Sequence, residues 1–284
     1  MFESLKIGTS EFSWGSKTYI MGVINVTPDS FSGDGLINDI DVVVERAILF
    51  QNAGADVIDI GGESTRPSIT YSKVRDITWE EEVDRVMPVI EELIKVIDIP
   101  LSIDTSKAKV AQNALDAGVH IVNDVWGLQK DPDMLNVVVK KQCPVVIMHN
   151  KEIACYSNDL LKDITSYLKD ITENLILKGV QRDNIIIDPG IGFGKKFQHN
   201  IEILRRLEEL KSLHFPILVG TSRKSFIGQI LGLPVDKRLE GTAATVALSI
   251  ANGTDIVRVH DVEEIVRVAR VSDMIIRESL GNYE

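Results

Sequence analysis

Several side chains suited to binding or catalysis stand at the ends of short apolar runs. SIDT (102–105), VND (122–124) and DPGIGFG (188–194) put Asp104, Asn123 and Asp188 in that position. Carboxylates accept hydrogen bonds from ring N–H and amino groups, and an amide both donates and accepts, so the three together complement a flat, nitrogen-rich heterocycle. Each taken singly has a second reading as a structural acid tied to a loop; three at one end of a fold favour a site. DIVRVHDV (255–262) sets Arg258 and His260 two residues apart, hence on one side of a strand. With Arg66 of DIGGESTRP (59–67) and with Asn25 they could cradle a diphosphate, since arginine grips phosphate bidentately. A rim salt bridge is the open alternative for Arg66, and His260 is assigned no proton transfer.

Other segments offer weaker signals. GTSRKSFIG (220–228) leaves a strand and enters a helix, where backbone N–H groups near Ser225 could hold an anion beside Lys224 and Arg223. GIGFG (190–194) has the glycines of a nucleotide loop but matches neither the P-loop nor the dinucleotide fingerprint. In IMGVINVTPDSFSGDG (20–35), small turn residues surround Phe31, which either closes as a lid or tucks into a rim. No HExxH and no dense cysteine or carboxylate cluster is present, so a metal would be Mg²⁺ held largely by substrate phosphate and water.

Elements must bring these groups together, and the sequence carries a rhythm that does so. Eight apolar, β-branched runs recur: 19–25, 57–62, 100–105, 120–125, 144–149, 185–190, 216–222 and 255–260. Near-continuous Val and Ile suits strands covered on both faces, as in a parallel sheet. Amphipathic stretches at 42–55, 81–97, 109–118 and 200–211 read as helices between them, with Gly54 and Gly118 as stops. Strict alternation implies right-handed crossovers. The predicted fold is α/β, a (β/α)₈ TIM barrel forming one domain over residues 1–284, because nearly every run ends in a polar residue and a barrel converges those ends on one mouth. An open doubly wound sheet would spread them along an edge. Two longer connections, 67–81 and 150–159, fall on the mouth side and read as substrate-closing loops or as plain surface insertions. A hydrophobic fraction of 44% supports a sizeable core, and a net charge of −11 argues against nucleic-acid or anionic-membrane partners. Residues 1–15 lack a basic leader followed by an apolar run, so a cytoplasmic location is expected. Cys143 and Cys155 have neither the number nor the spacing of a disulfide framework, and Cys143 reads as a packed small residue.

NVTPDSFS, DIGGESTRP, SIDT, ND, MH, DPGIGFGK, TSRKSFIG and RVHDV occur in the order found in dihydropteroate synthases, and from about residue 18 to residue 262 the chain resembles that family. The resemblance implies a (β/α)₈ barrel that condenses 6-hydroxymethyl-7,8-dihydropterin diphosphate with p-aminobenzoate, yielding 7,8-dihydropteroate and pyrophosphate. It further implies a homodimer. Carried over residue by residue, it gives a pterin pocket of Asp104, Asn123, Asp188 and Lys224 flanked by Arg258. It gives a diphosphate site of Asn25, Thr65, Arg66, Arg258 and His260, with Asn25 meeting Mg²⁺, and a p-aminobenzoate site of Phe31, Pro67, Phe193, Lys224 and Ser225. The chain reads SFSGDG where the family usually has SFSDGG, so Asp34 is expected to stand in for a loop aspartate displaced by one position. Two other readings stand beside this one: a methyltetrahydrofolate-dependent corrinoid methyltransferase, which needs no diphosphate site, and a catalytically silent pterin-binding barrel.

Overall fold

Each of the eight apolar runs is a strand, and its neighbours cover it on both faces. The computed structural model describes residues 4–26, 40–63, 77–157 and 159–277. In chain order the strands are β1 (Leu5–Ile7), β2 (Ser10–Phe12), β3 (Tyr19–Asn25), β4 (Val57–Gly61), β5 (Leu101–Asp104), β6 (Ile121–Asp124), β7 (Val145–Met148), β8 (Ile185–Asp188), β9 (Leu218–Val219) and β10 (Ile256–Val259). The helices are α1 (Ile40–Ala53), α2 (Trp79–Val96), α3 (Ala108–Ala117), α4 (Met134–Lys141), α5 (Leu160–Leu177), α6 (Phe197–Arg205), α7 (Ser225–Leu231), α8 (Leu239–Ala251) and α9 (Val262–Ile276). Strands β3 to β10 form one parallel sheet in the order β8-β7-β6-β5-β4-β3-β10-β9. A single parallel bridge between Ile187 and Ile217 joins its two edges, with Ile187 N donating to Pro216 O at 2.9 Å, so the sheet closes as the predicted barrel.

Strand periodicity divides the interior into two halves. Alternate residues point inward, and toward the N-terminal ends these are Tyr19, Met21, Val57, Ile121, Val146, Ile186, Leu218 and Ile256. The antiparallel hairpin β1–β2 caps that end with Leu5, Ile7 and Phe12, the Phe12 ring lying 4.5 Å from that of Tyr19. Burying each such side chain contributes about 1.5–3 kcal/mol. Toward the C-terminal ends the inward residues turn polar: Asp59, Ser102, Asp104, Asn123 and Asp188 are all buried. Outward residues such as Ile58, Ile60, Ile103, Val122, Ile147 and Ile187 pack against the helices.

Local signals explain most boundaries. Thr78 caps α2, accepting from Glu81 N while the Glu81 side chain accepts from Thr78 N, and Gly118 closes α3 in the left-handed region at φ 116°. One expected helix differs. Residues 200–211 do not run on as one α-helix but break at Arg206 (φ −115°, ψ 19°) into a 3-10 turn over Leu207–Leu213. There the guanidinium bonds Glu209, Glu202 and Asp159 at 2.6, 2.9 and 3.0 Å, while Leu207 and Leu210 turn into the core. Cys143 is buried and Cys155 exposed, both as free thiols.

Candidate functional site

The polar half of the barrel is organised around Arg258 on β10. Its Nε donates to Asp59 Oδ2 at 2.6 Å and one terminal nitrogen donates to Asp104 Oδ2 at 2.8 Å. Asn123 Nδ2 reaches the same Asp59 oxygen at 3.0 Å. Register makes this possible: Gly61 pairs with Asp104 and Asp104 with Asn123, so inward residues of β4, β5 and β6 lie side by side. Burial pushes the Asp104 carboxyl above its ordinary range; Arg258 works against that, and Asp59, Glu82 and Asp124 reinforce it.

Asp188 ends β8 beside this cluster. Its Oδ1 accepts from Gly190 N at 2.6 Å, and burial pushes its carboxyl up to about 6 despite that bond and the charges of Lys224, Lys195 and Arg258. Gly190 must be glycine: its φ is +72°, and a Cβ there would sit 2.0 Å from His149 O. The turn carries Phe193 under Lys224, whose ammonium lies 4.1 Å from the ring centroid, and Ser225 follows as the first residue of α7. The connection 150–157 docks on the same turn, with Tyr156 Oη donating to Gly194 O at 2.7 Å.

His260 follows β10. Burial, then the charges of Arg258 and Arg223, push its imidazole down to about 3, so it is neutral across physiological pH. Ser222 Oγ accepts from His260 N at 3.2 Å and lies 3.0 Å from Nδ1. When the Ser222 hydroxyl gives its proton to Nδ1, the ring hydrogen stands on Nε2, where it can serve as a donor for an anion. Arg223 is not available for the expected anion role: at φ +57° it pairs with Asp261 through both Nε (3.0 Å) and a terminal nitrogen.

The structure thus brings Asp104, Asn123, Asp188, Lys224, Phe193, Ser225, Arg258 and His260 to the C-terminal mouth, with Asn25 at the end of β3 beside them. Phe31, Asp34, Thr65, Arg66 and Pro67 lie outside the described residues. Three further groups escaped the sequence reading. Asp59 is completely buried in mid-strand, marked only by being the one charge in VIDIG. Lys195, pushed down to about 7 by burial, bonds His149 Nδ1, His149 O and Phe193 O at 3.0, 3.2 and 2.9 Å. Lys107 bridges Glu63 and Glu82 at 2.7 and 2.5 Å behind the β4 end, and nothing local distinguishes Glu82 from Glu80 and Glu81.

Comparison with known proteins agrees with the barrel fold. The profile of the family described as pterin binding enzyme matches residues 21–260. A dihydropteroate synthase of Clostridium beijerinckii is 50% identical over 274 residues, covering 96% of this chain and 100% of the relative. The structure of dihydropteroate synthase from Clostridium difficile in the presence of pteroic acid is similar with a TM-score of 0.90 at 50% identity, covering 94% of this chain and 100% of that one. The Xanthomonas albilineans dihydropteroate synthase structure with 4-aminobenzoic acid gives a TM-score of 0.90 at 34% identity, over 97% and 99% of the two chains.

Proposed function

This chain belongs to the pterin-binding enzyme family and, within it, to the dihydropteroate synthases of folate biosynthesis, and from that membership we propose how its own residues divide the work. The observation that supports the division is Arg258 held between Asp59 and Asp104, with Asn123 alongside and Asp188 close to Lys224. Asp104, Asn123, Asp188 and Lys224 take the dihydropterin ring, the carboxylates accepting from its N–H groups, with Arg258 at its flank. Arg258 and the neutral His260 meet the diphosphate together with Asn25, Thr65 and Arg66. Phe193, Lys224 and Ser225, with Phe31 and Pro67, receive p-aminobenzoate.

Breaking the C–O bond sends its electron pair out on the diphosphate oxygen and spreads positive charge over the dihydropterin. Asp104 and Asp188 meet that charge in a buried site where it counts for more than in water, and Asp34 adds to it. The aromatic amine then attacks the exocyclic carbon and loses a proton, so no protein nucleophile is required. Removing one such preorganised charge costs about 10²–10³ in rate.

A magnesium ion fits beside Asn25. A Cβ at Gly61 would lie 3.6 Å from Asn25 Oδ1 and 3.7 Å from Asp104 Cβ, so glycine keeps the space between them open. A single amide oxygen suits an ion that keeps several waters and takes phosphate oxygens for the rest. Among the described residues no group of three or more His, Cys, Asp and Glu could hold a metal unaided. When bound, magnesium supplies positive charge to the leaving diphosphate.

The proposal extends to a single-domain protomer, a homodimer and a cytoplasmic location. Leu248 on α8 and Val271 and Ile275 on the adjoining α9 are 59%, 62% and 76% exposed, an apolar face that a second copy would cover. No helix among the described residues is long and apolar enough to cross a membrane. The test is direct. Purified protein with Mg²⁺ should release pyrophosphate from the dihydropterin diphosphate only when p-aminobenzoate is present; silence in the full mixture, or release indifferent to p-aminobenzoate, refutes the reading. A corrinoid methyltransferase or a silent barrel predicts silence.

A further inference from the structure

None of the roles above uses Asp59, the most deeply buried acid of the cluster. It is 0% exposed, and a single oxygen, Oδ2, accepts from both Arg258 Nε at 2.6 Å and Asn123 Nδ2 at 3.0 Å. Charge pairing alone does not account for it. Asp104 already gives Arg258 a carboxylate at 2.8 Å, and Oδ1 of Asp59 has no partner among the described residues. A second buried carboxylate with an unsatisfied oxygen costs stability, and a neutral residue of similar volume would cost less.

What Asp59 does supply is direction. An asparagine amide can turn over and exchange its donor for its acceptor, and nothing in the side chain itself prefers either state. Because one Asn123 N–H goes to Asp59, the amide is held with its carbonyl oxygen and its other N–H left for a ligand. Arg258 is fixed in the same way. Bonded at Nε by Asp59 and at a terminal nitrogen by Asp104, its guanidinium plane is set by two contacts from two strands, whereas one contact would leave it free to rotate.

We propose that Asp59 is a positioning residue for the dihydropterin, one that fixes the orientation of the Asn123 amide and, with Asp104, the plane of the Arg258 guanidinium. The inference rests on the reading of Asp104, Asn123, Asp188 and Arg258 as the pterin site. It concerns one substrate only. Phe193 and Ser225, proposed to meet p-aminobenzoate and not the pterin, follow β8 and β9, on the far side of the barrel from β4.

Asp59→Leu preserves volume but offers no acceptor to Arg258 Nε or Asn123 Nδ2, both of which bond the one Asp59 oxygen. In steady-state kinetics the KM for the dihydropterin diphosphate should rise at least about tenfold, a loss in keeping with small misplacements of positioned groups, while the KM for p-aminobenzoate stays within about twofold. A merely structural role would instead lower the active fraction, reducing apparent kcat, or raise both KM values together; either outcome, like an unchanged pterin KM, overturns the proposal. Asp188→Asn is run beside it. If that variant also leaves the pterin KM unchanged, the pterin-site reading itself has failed; if it raises the KM while Asp59→Leu does not, only the positioning role has. Should Asp59→Leu not fold, Asp59→Ser, which is smaller and leaves room for water, is held to the same two KM criteria.

Discussion

Replacing Asp188 by Asn should cost pterin affinity about a hundredfold without costing stability. The carboxylate spends Oδ1 on Gly190 N at 2.6 Å, and its second oxygen is proposed to accept from the pterin. An amide can keep the first bond, but it then sets an NH₂ group where an acceptor is needed. The variant loses one charge-assisted bond, about 1.5–3 kcal/mol, and leaves ligand donors unpaired at a further 1–3 kcal/mol or so. A total near 3 kcal/mol corresponds to about two decades of affinity. Stability should move the other way. The folded carboxyl is raised to about 6 from an unfolded value near 3.9, so its stabilising contribution is full below about pH 4 and is lost as pH rises through 6. At pH 7 the ionised group therefore costs the fold about 2–3 kcal/mol, and the neutral amide should hold or raise Tm. Calorimetry with a pterin lacking diphosphate measures the first effect and thermal melting the second. In the parent protein affinity should also fall as pH drops below about 6, because ligand must displace the Asp188 proton, and that slope should be shallower in the variant, where only the raised Asp104 carboxyl still contributes. Unchanged affinity, or an unchanged pH slope, removes Asp188 from the pocket, and a collapsed Tm would show that the loss came from the fold.

Arg258→Ala and His260→Ala should each weaken the diphosphate substrate more than a pterin without diphosphate, which competition binding can compare; equal loss for both ligands would point to a collapsed pocket. Because His260 is neutral above about pH 3, the effect of its removal should be the same at pH 5.5 and pH 8, and a pH-dependent effect would mean that a charged imidazole takes part. Lys195→Met removes three bonds that hold the Phe193 turn, so the KM for p-aminobenzoate should rise several-fold. The amine is held near 7 in the fold against about 10.4 unfolded, so the unfolded chain binds more protons between those values. Denaturant titrations of the parent should therefore show stability rising over that interval, and a slope of the same size in Lys195→Met would refute the buried-amine account. Asp34→Ala should lower kcat with little change in pterin affinity or Tm, and turnover equal to that of the parent would rule the displaced aspartate out as a functional substitute.

The barrel was readable because a parallel strand buried on both faces must be apolar almost throughout, so runs such as YIMGVIN and IIID announce themselves without help from distant residues. Strand ends could be read as a mouth for the same reason: once the runs are strands, the first polar residue after each is a boundary. The hairpin β1–β2 gave no such signal, since three residues per strand are too few to show a period. The break at Arg206 depends on Asp159, which lies 47 positions away. Asp59 shows most clearly where local reading ends. Within VIDIG it is simply an acid, and its meaning comes from Arg258, 199 residues further on, and from Asn123, 64 residues on.

The acids and bases of the site are buried together, and burial acts on the two kinds of group in opposite directions. Asp59 and Asp104 bond Arg258, and Asp188 lies near Lys224 and Lys195, all in a region largely shut off from water. Burial is what raises the Asp104 and Asp188 carboxyls, and neighbouring acids add to it at Asp104. On the proposed assignment, a dihydropterin with several N–H donors would offset part of the cost of burying these acids, and positive charge developing on the ring as diphosphate departs would offset more, so the acids would interact more strongly with the transition state than with the substrate. Desolvation acts oppositely on His260, keeping it neutral, so that in the proposed site its ring would meet the diphosphate by hydrogen bonding while Arg258 would carry the charge. The apolar layer beneath, closed by Phe12 and the hairpin, offsets the cost, which is why a polar half can be sustained above it. Loosening that plug by Phe12→Ala, a loss of about 3–5 kcal/mol, would therefore be expected to act on the catalytic layer only through global stability and to leave both KM values where they were.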